Sequence, residues 1–426
     1  MVLVVVRGVA APGISGRWLV AGNRVLMVPY GHSLGRVGRL LQIARCLRQQ
    51  GQEVTFAGDG DHLAFARRDG FPLIPLLELD RELVASKFNR ASISFHTVSS
   101  AERFVAQEIA LLREVRPDRT VADFRPTLRI STAALGVPYV SVTNASYVEY
   151  YSERRRAPRT HPLVRMIPGR AIYLLEPIVP LLNRLYARPY NAVLARYKLP
   201  PIRRVERIFA GDLTLLADVP EFAPSAGLPP GYHYVGPLLW ELECQLPAWI
   251  EQRDRAQPLV YGTVGGTGGL RLAQAALQAF ENAPYQVVMT AGGRAGEVTG
   301  APGKVRLERF LPGRKVLALS QAMVCHGGIG SIYQGLEAGV PIVGVPFNLE
   351  QEWNVDRLVD LGLGLKLEAG RQTAERLRQA VDALLSTPDY GDRARGFSRY
   401  LEPYPGAEKA GELIRRFLET GRAVRR

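Results

Sequence analysis

Residues 322–351 read AMVCHGGIGSIYQGLEAGVPIVGVPFNLEQ, and the fold is decided here. A short apolar run, Ala322-Met323-Val324, enters His326-Gly327-Gly328-Ile329-Gly330-Ser331, where a helix begins. Such a run, ended by a turn, reads as a strand buried on both faces. The glycines let backbone approach a ligand closely. A helix N-terminus presents unpaired N–H groups and the positive end of its dipole to phosphate. His326 adds a donor and Ser331 a hydroxyl. The pattern predicts a pyrophosphate cradle; an ordinary tight strand–helix turn is the structural alternative. It lacks the Gly-Lys-Ser/Thr of a P-loop, so NTP hydrolysis is not indicated.

The same alternation runs through most of the chain. RVLMVPYG at 24–31 reads as a strand, GRVGRLLQIARCLRQQG as a helix stopped at Gly51, and QEVTFAG as the next strand. Further strand–helix pairs follow to VPYVSVTN at 137–144. The rhythm breaks over residues 150–207 and restarts at PLVYGTVGG, YQVVMTAGG and VRLERFLP. Repeated units of this length predict α/β architecture: two Rossmann-like, doubly wound domains with a linker near Pro237–Pro247. Ligands then belong at the carboxyl ends of the strands, in a central cleft. The expected division is an extension at 1–23, a first Rossmann-like domain at 24–237 that contains the irregular stretch 150–207, a second at 238–400, and a C-terminal helix at 401–426 packing back towards the first domain. Residues 1–23 start apolar but carry no basic n-region and no convincing cleavage site, so they read as a poorly ordered extension or a misplaced start rather than a signal peptide.

Composition narrows the class. The 426 residues are 47% hydrophobic with 42 Gly and four Trp, which excludes a disordered chain. Cys46, Cys244 and Cys325 are far apart and odd in number, so neither a disulfide framework nor a zinc knuckle is expected, and a reducing, cytoplasmic compartment fits. No uncharged apolar run reaches the roughly 18 residues of a membrane span. The net charge of +14 is concentrated: residues 154–207 hold 13 basic and 2 acidic side chains.

The stretch from His326 to Gln351 resembles the nucleotide-sugar signature of family 1 glycosyltransferases, inverting UDP-sugar enzymes of GT-B fold. His-Gly-Gly, Gly339-Val340-Pro341, Pro346 and the acidic-Gln pair fall in register with it. The resemblance implies that His326 contacts the diphosphate with Gly328, Gly330 and Ser331 beside it, and that Glu350 and Gln351 hold sugar hydroxyls. A carboxylate beside an amide accepts and donates hydrogen bonds to a diol. It also implies donor contacts from Phe310 and Leu311, from Gln334, and from Thr263, Gly265 and Thr267 in a second phosphate loop. Departures stand out. Gly330 replaces an Asn, Gln334 a ribose-gripping Glu, Phe310 a stacking Trp, Gly313 a Gln, and Gly266 a Ser or Thr. UDP, dTDP and GDP donors all stay open on this pattern. No cofactor and no metal is expected, the donor itself being a UDP-sugar or dTDP-sugar.

Inverting transfer needs a base for the acceptor hydroxyl. His32 follows the first strand and Asp123 ends another (TVADF), both at carboxyl ends. Histidine titrates near neutrality, and a carboxylate behind it orients the ring. In the resembling family these two positions form the catalytic pair. Their structural alternatives are a loop histidine and a cap for the helix expected near Pro126. Asp59-Gly60-Asp61 mimics a metal-binding DxD, but its place after the second strand favours a loop and helix cap. His62, His96, His161 and His233 lack metal-ligand spacing.

The expected activity is a metal-independent, inverting transfer of sugar to a hydroxyl of a hydrophobic small molecule or lipid. A sugar-nucleotide epimerase and a catalytically silent partner of another transferase are the alternatives. For the basic segment 154–207 three readings compete: a solvated helical surface, peripheral contact with anionic lipid on the inner membrane face, and nucleic-acid binding, which no recognised motif supports.

Overall fold

In a computed structural model the chain folds into two parallel sheets flanked by helices. The structure describes residues 23–89, 92, 95–153, 156, 159, 179–265, 270–291, 305–368 and 373–420. Thr267, the extension before residue 23 and, within the basic segment, residues 154–155, 157–158 and 160–178 (His161 among them) lie outside the described residues.

The first sheet contains β1 (Arg24–Pro29), β2 (Glu53–Gly58), β3 (Leu73–Pro75), β4 (Arg119–Asp123), β5 (Tyr139–Thr143), β6 (Leu213–Leu216) and β7 (Tyr232–Tyr234), in the order β3-β2-β1-β4-β5-β6-β7. The second contains β8 (Leu259–Thr263), β9 (Gln286–Thr290), β10 (Val305–Glu308), β11 (Ala322–Cys325), β12 (Ile342–Gly344) and β13 (Gly364–Lys366), in the order β10-β9-β8-β11-β12-β13. Every paired strand is parallel. That is why β4, β5, β6, β8 and β11 are buried at every position: helices cover both faces, so no polar face is required.

Two crossings tie the halves together. A buried apolar cluster runs across the boundary, joining Val148, Val219 and Phe222 to Tyr333, Leu336 and Val355. The helix Ala407–Thr420 returns to the first domain, where Ala410, Leu413, Ile414 and Phe417 share a core with Val37, Leu40 and Leu47. The return is tight, since a Cβ on Gly411 would stand 2.9 Å from the Cys46 sulfur. Where the chain crosses its own linker, Gly406 N–H donates to the Val235 carbonyl. A Cβ on Gly236 would meet that of Tyr404 at 2.5 Å.

Candidate active site

In a doubly wound sheet, ligands sit where the strand order reverses. Here those points are β1/β4 and β8/β11. Pro29 pairs with Asp123 at the first, and Thr263 with Cys325 at the second. His32 and Asp123 therefore leave one switch point, and Thr263 and His326 the other.

At the second switch point His326 is 5% exposed and clamped between two loops. A Cβ on Gly265 would lie 2.2 Å from its Cε1, and one on Gly328 would lie 2.5 Å from its Nε2. Gly265 also has φ +58°, so glycine is required there twice over. The Asn354 amide donates to the Gly327 carbonyl at 3.1 Å, pinning the turn to the helix Leu349–Asp360. Burial lowers the His326 pKa to about 4, against a smaller opposing contribution from the Thr263 backbone, so the ring is neutral at physiological pH. Its Nδ1 is buried without a partner. The helix Ile329–Glu337 starts at Gly328 with no side-chain cap, leaving first-turn N–H groups for a ligand. Ser331 and Gln334 stand half-buried on that helix. Gln334 Oε1 is 3.7 Å from where a Gly313 Cβ would be, beside the loop that carries Phe310 and Leu311. Phe310 is 42% exposed and offers an open ring face; Leu311 is buried. At Gly330 an added Cβ would meet nothing within 4 Å, so the missing Asn leaves a vacancy rather than a compensating contact.

Glu350 and Gln351 open the helix Leu349–Asp360, which Asn348 caps by accepting from Gln351 N–H. They face different surroundings. Gln351 is 3% exposed and its Oε1 accepts from Phe347 N–H at 2.8 Å. Glu350 reaches across to the first domain. It accepts from the Tyr147 hydroxyl at 2.7 Å and from Asn144 Nδ2 at 3.3 Å, and it lies 3.8 Å from Arg36. Burial and the Glu350 carboxylate hold the Tyr147 phenol well above its usual pKa, so it acts as a donor.

At the first switch point His32 packs edge-on to Tyr30, with Nδ1 buried and unpartnered. Asp123 is fully buried. Its oxygens go to Arg36 at 2.7 Å and Arg39 at 3.4 Å, and no hydrogen bond joins it to His32. The reason is electrostatic: a buried carboxylate gains more from two guanidinium forks, always charged and rich in donors, than from one imidazole N–H. Nor does Asp123 cap the next helix, which runs from Leu128 with Thr127 before it. Phe124 follows in the left-handed region at φ +61°, uncommon for a bulky residue. Its ring is held by Phe209, Phe95 and Tyr30 and lies 4.1 Å beneath the Arg36 guanidinium. Asp59 Oδ1 accepts from Gly60 N–H and Asp61 starts a short 3-10 turn, so the segment is a loop; the expected cap is not made, since Gly60 stands at the N-cap and no side chain caps the turn. Among the described residues no cluster of three or more metal-ligating side chains occurs.

Residues 275–407 match the family described as Erythromycin biosynthesis protein CIII-like, C-terminal domain. The chain is 31% identical over 399 residues to a PGL/p-HBAD biosynthesis glycosyltransferase of Mycobacterium tuberculosis (strain ATCC 25177 / H37Ra), covering 92% of each. The chain is a family 1 glycosyltransferase of GT-B fold. The glycosyltransferase is also 32% identical over 394 residues to a PGL/p-HBAD biosynthesis rhamnosyltransferase of Mycobacterium bovis (strain BCG / Pasteur 1173P2), covering 90% of this chain and 85% of the relative. In fold it is similar to the spinosyn rhamnosyltransferase SpnG, with TM-score 0.70 at 17% identity over 92% of this chain and 99% of that one.

Sequence reading of the glycosyltransferase misses Arg36, Arg39, Asn144 and Tyr147. Arg39 did leave a signal. It interrupts the apolar face Val37-Leu40-Leu41-Ala44 and is 7% exposed, and a charge in that place needs a carboxylate. Asn144 and Tyr147 leave none, because only the meeting of the two domains brings them to Glu350.

Proposed function

We propose that the enzyme moves a hexose from a UDP- or dTDP-sugar to a hydroxyl of a hydrophobic small molecule or lipid, inverting the anomeric centre without a metal. The observation that carries this reading is the uncapped helix at Gly328 with neutral His326 beside it, in the domain whose Glu350 reaches across to Asn144, Tyr147 and Arg36. His32 takes the proton of the acceptor hydroxyl as that oxygen bonds to the anomeric carbon. The bond from that carbon to the diphosphate breaks on the opposite face. The departing charge is met by the first-turn N–H groups and an N–H of His326. Asp123 holds Arg36 and Arg39 at the His32 switch point rather than bonding the base itself, Glu350 and Gln351 hold sugar hydroxyls, and Phe310 stacks on the base of the nucleotide. The rhamnosyltransferase relative supports a deoxyhexose as one donor to test. The experiment is a thermal-shift screen of nucleotide sugars, then transfer to a panel of phenolic, polyketide and lipid acceptors with EDTA present. Product anomeric configuration is read by NMR. Inverted product in EDTA is expected; retained configuration or a metal requirement would refute the mechanism. Nucleotide-sugar turnover without acceptor would instead indicate epimerase chemistry, and no turnover with any acceptor a silent partner.

We also infer peripheral contact with anionic lipid on the cytoplasmic side. Leu181, Leu182 and Leu185 are exposed on the helix Val179–Arg196 beside exposed Arg184 and Arg188. Part of the basic segment is already engaged: Arg156 pairs with Asp360 at 2.7 Å, and Arg159 N–H donates to Glu352. Salt-sensitive flotation with anionic vesicles, lost in Leu181→Ser/Leu185→Ser, is expected; absence of binding would leave the leucines as plain surface.

A further inference from the structure

Arg36 occupies a costly position. It lies in the first turn of the helix Leu34–Gln49, where the helix dipole disfavours a cation, and its side chain is only 12% exposed. Two carboxylates from opposite domains offset that cost. Its Nη1 donates to Asp123 Oδ1 at 2.7 Å, while its Nη2 lies 3.8 Å from Glu350 Oε2. The plane of the fork rests on Phe124, whose backbone is held left-handed under it. Asp123 keeps a second cation in Arg39, so its charge stays compensated whatever Arg36 does. Among the described residues Glu350 has only the neutral donors Asn144 and Tyr147 besides Arg36. The network around Glu350 is also one bond short. Asn144 Oδ1 is buried without a partner, an acceptor placed for a hydroxyl.

We propose that Arg36 is a positioning residue that aligns the sugar-binding carboxylate of Glu350 with the Asp123 carboxylate at the β1/β4 switch point, by bridging the cleft with one guanidinium fork. This rests on the reading of Glu350 as a sugar ligand. The bridge fixes the Glu350 carboxylate before the sugar arrives, so less order is lost on binding. Because its two carboxylates are addressed by different nitrogens, a lysine point charge cannot replace it.

The test compares binding of the nucleoside diphosphate alone with binding of the matching nucleotide sugar by calorimetry, in wild type, Arg36→Met, Arg36→Lys, Glu350→Gln and the Arg36→Met/Glu350→Gln double variant. Wild type is expected to prefer the nucleotide sugar. Arg36→Met and Arg36→Lys should each lower that preference about tenfold, leave nucleotide affinity within twofold, and lower kcat. In the Glu350→Gln background Arg36→Met should change the preference by less than twofold. An equal tenfold loss with and without Glu350, or full preference in Arg36→Lys, overturns the proposal. Should Arg36→Met fail to fold, Arg36→Lys with its Glu350→Gln double variant gives the same cycle. No nucleotide-sugar binding by wild type would sink the functional reading itself, a result distinct from an additive cycle.

Discussion

Asp123 and His326 are both buried, but they meet burial in opposite ways. Asp123 sits between two arginines that offset a buried carboxylate, whereas His326, without such a partner, gives up its charge. The latter has a consequence for stability. The folded His326 protonates near pH 4, while an unfolded histidine protonates near 6.5. Between those values the unfolded chain binds the extra proton, so acidification through that window favours unfolding. From pH 7.5 to pH 5 this residue removes about 2 kcal/mol of stability. His96, lowered to about 3 by burial and then by Arg125, acts in the same sense, while Asp218, raised to about 6 chiefly by burial, opposes it. Urea unfolding of His326→Gln should therefore lose about 2 kcal/mol less than wild type over that interval. Equal losses would contradict a neutral buried ring. The sequence carried the identity of His326 and His32 in their strand-end positions. It could not say which side chain would hold Asp123, because that depends on which residues one helix turns inward.

At the scale of elements, the strand–turn–helix unit at residues 322–337 is where sequence and structure coincide most closely. Its glycines do different work. At Gly328 a methyl group would press on His326, whereas at Gly330 it would meet open space in an ordinary helical conformation. Gly330→Ala should therefore stabilise the fold by about 0.5–1 kcal/mol through helix propensity, while Gly328→Ala should destabilise it, both read from denaturant midpoints. A loss at Gly330 as large as at Gly328 would mean that the loop is more crowded than it is here. The alternation of short apolar runs with amphipathic stretches made β1, β2, β4, β5, β8 and β11 legible. β13 was not, because its three residues, Gly364-Leu365-Lys366, carry no period of their own and become a strand only by pairing with β12. After Asp61 the chain forms a 3-10 turn followed by the short helix Ala64–Arg68.

Across the whole molecule, polar contacts join the domains where the apolar cluster alone would allow sliding. Asp218 is fully buried and accepts from Ala145 N–H at 2.6 Å and from the Tyr333 hydroxyl at 3.0 Å; that hydroxyl also takes Val219 N–H. Tyr333→Phe keeps the ring but strands both groups, and should cost about 1–3 kcal/mol in a denaturation experiment. An unchanged midpoint would show that the bridge does not hold the halves together. The same joining brings Glu350 of one domain to Asn144, Tyr147 and Arg36 of the other, a relation no local pattern expresses. Charge behaves likewise: the basic segment looked like a surface for polyanions, yet Arg156 is spent on Asp360 of the donor half. The most direct measurement sets the two histidines against each other in single-turnover transfer and nucleotide binding. His32→Ala should lower the transfer rate by about 10²–10⁴ with nucleotide affinity within twofold, and His326→Ala should weaken the nucleotide itself. Normal turnover by His32→Ala, or unaltered nucleotide affinity in His326→Ala, would contradict the division of labour between the two switch points.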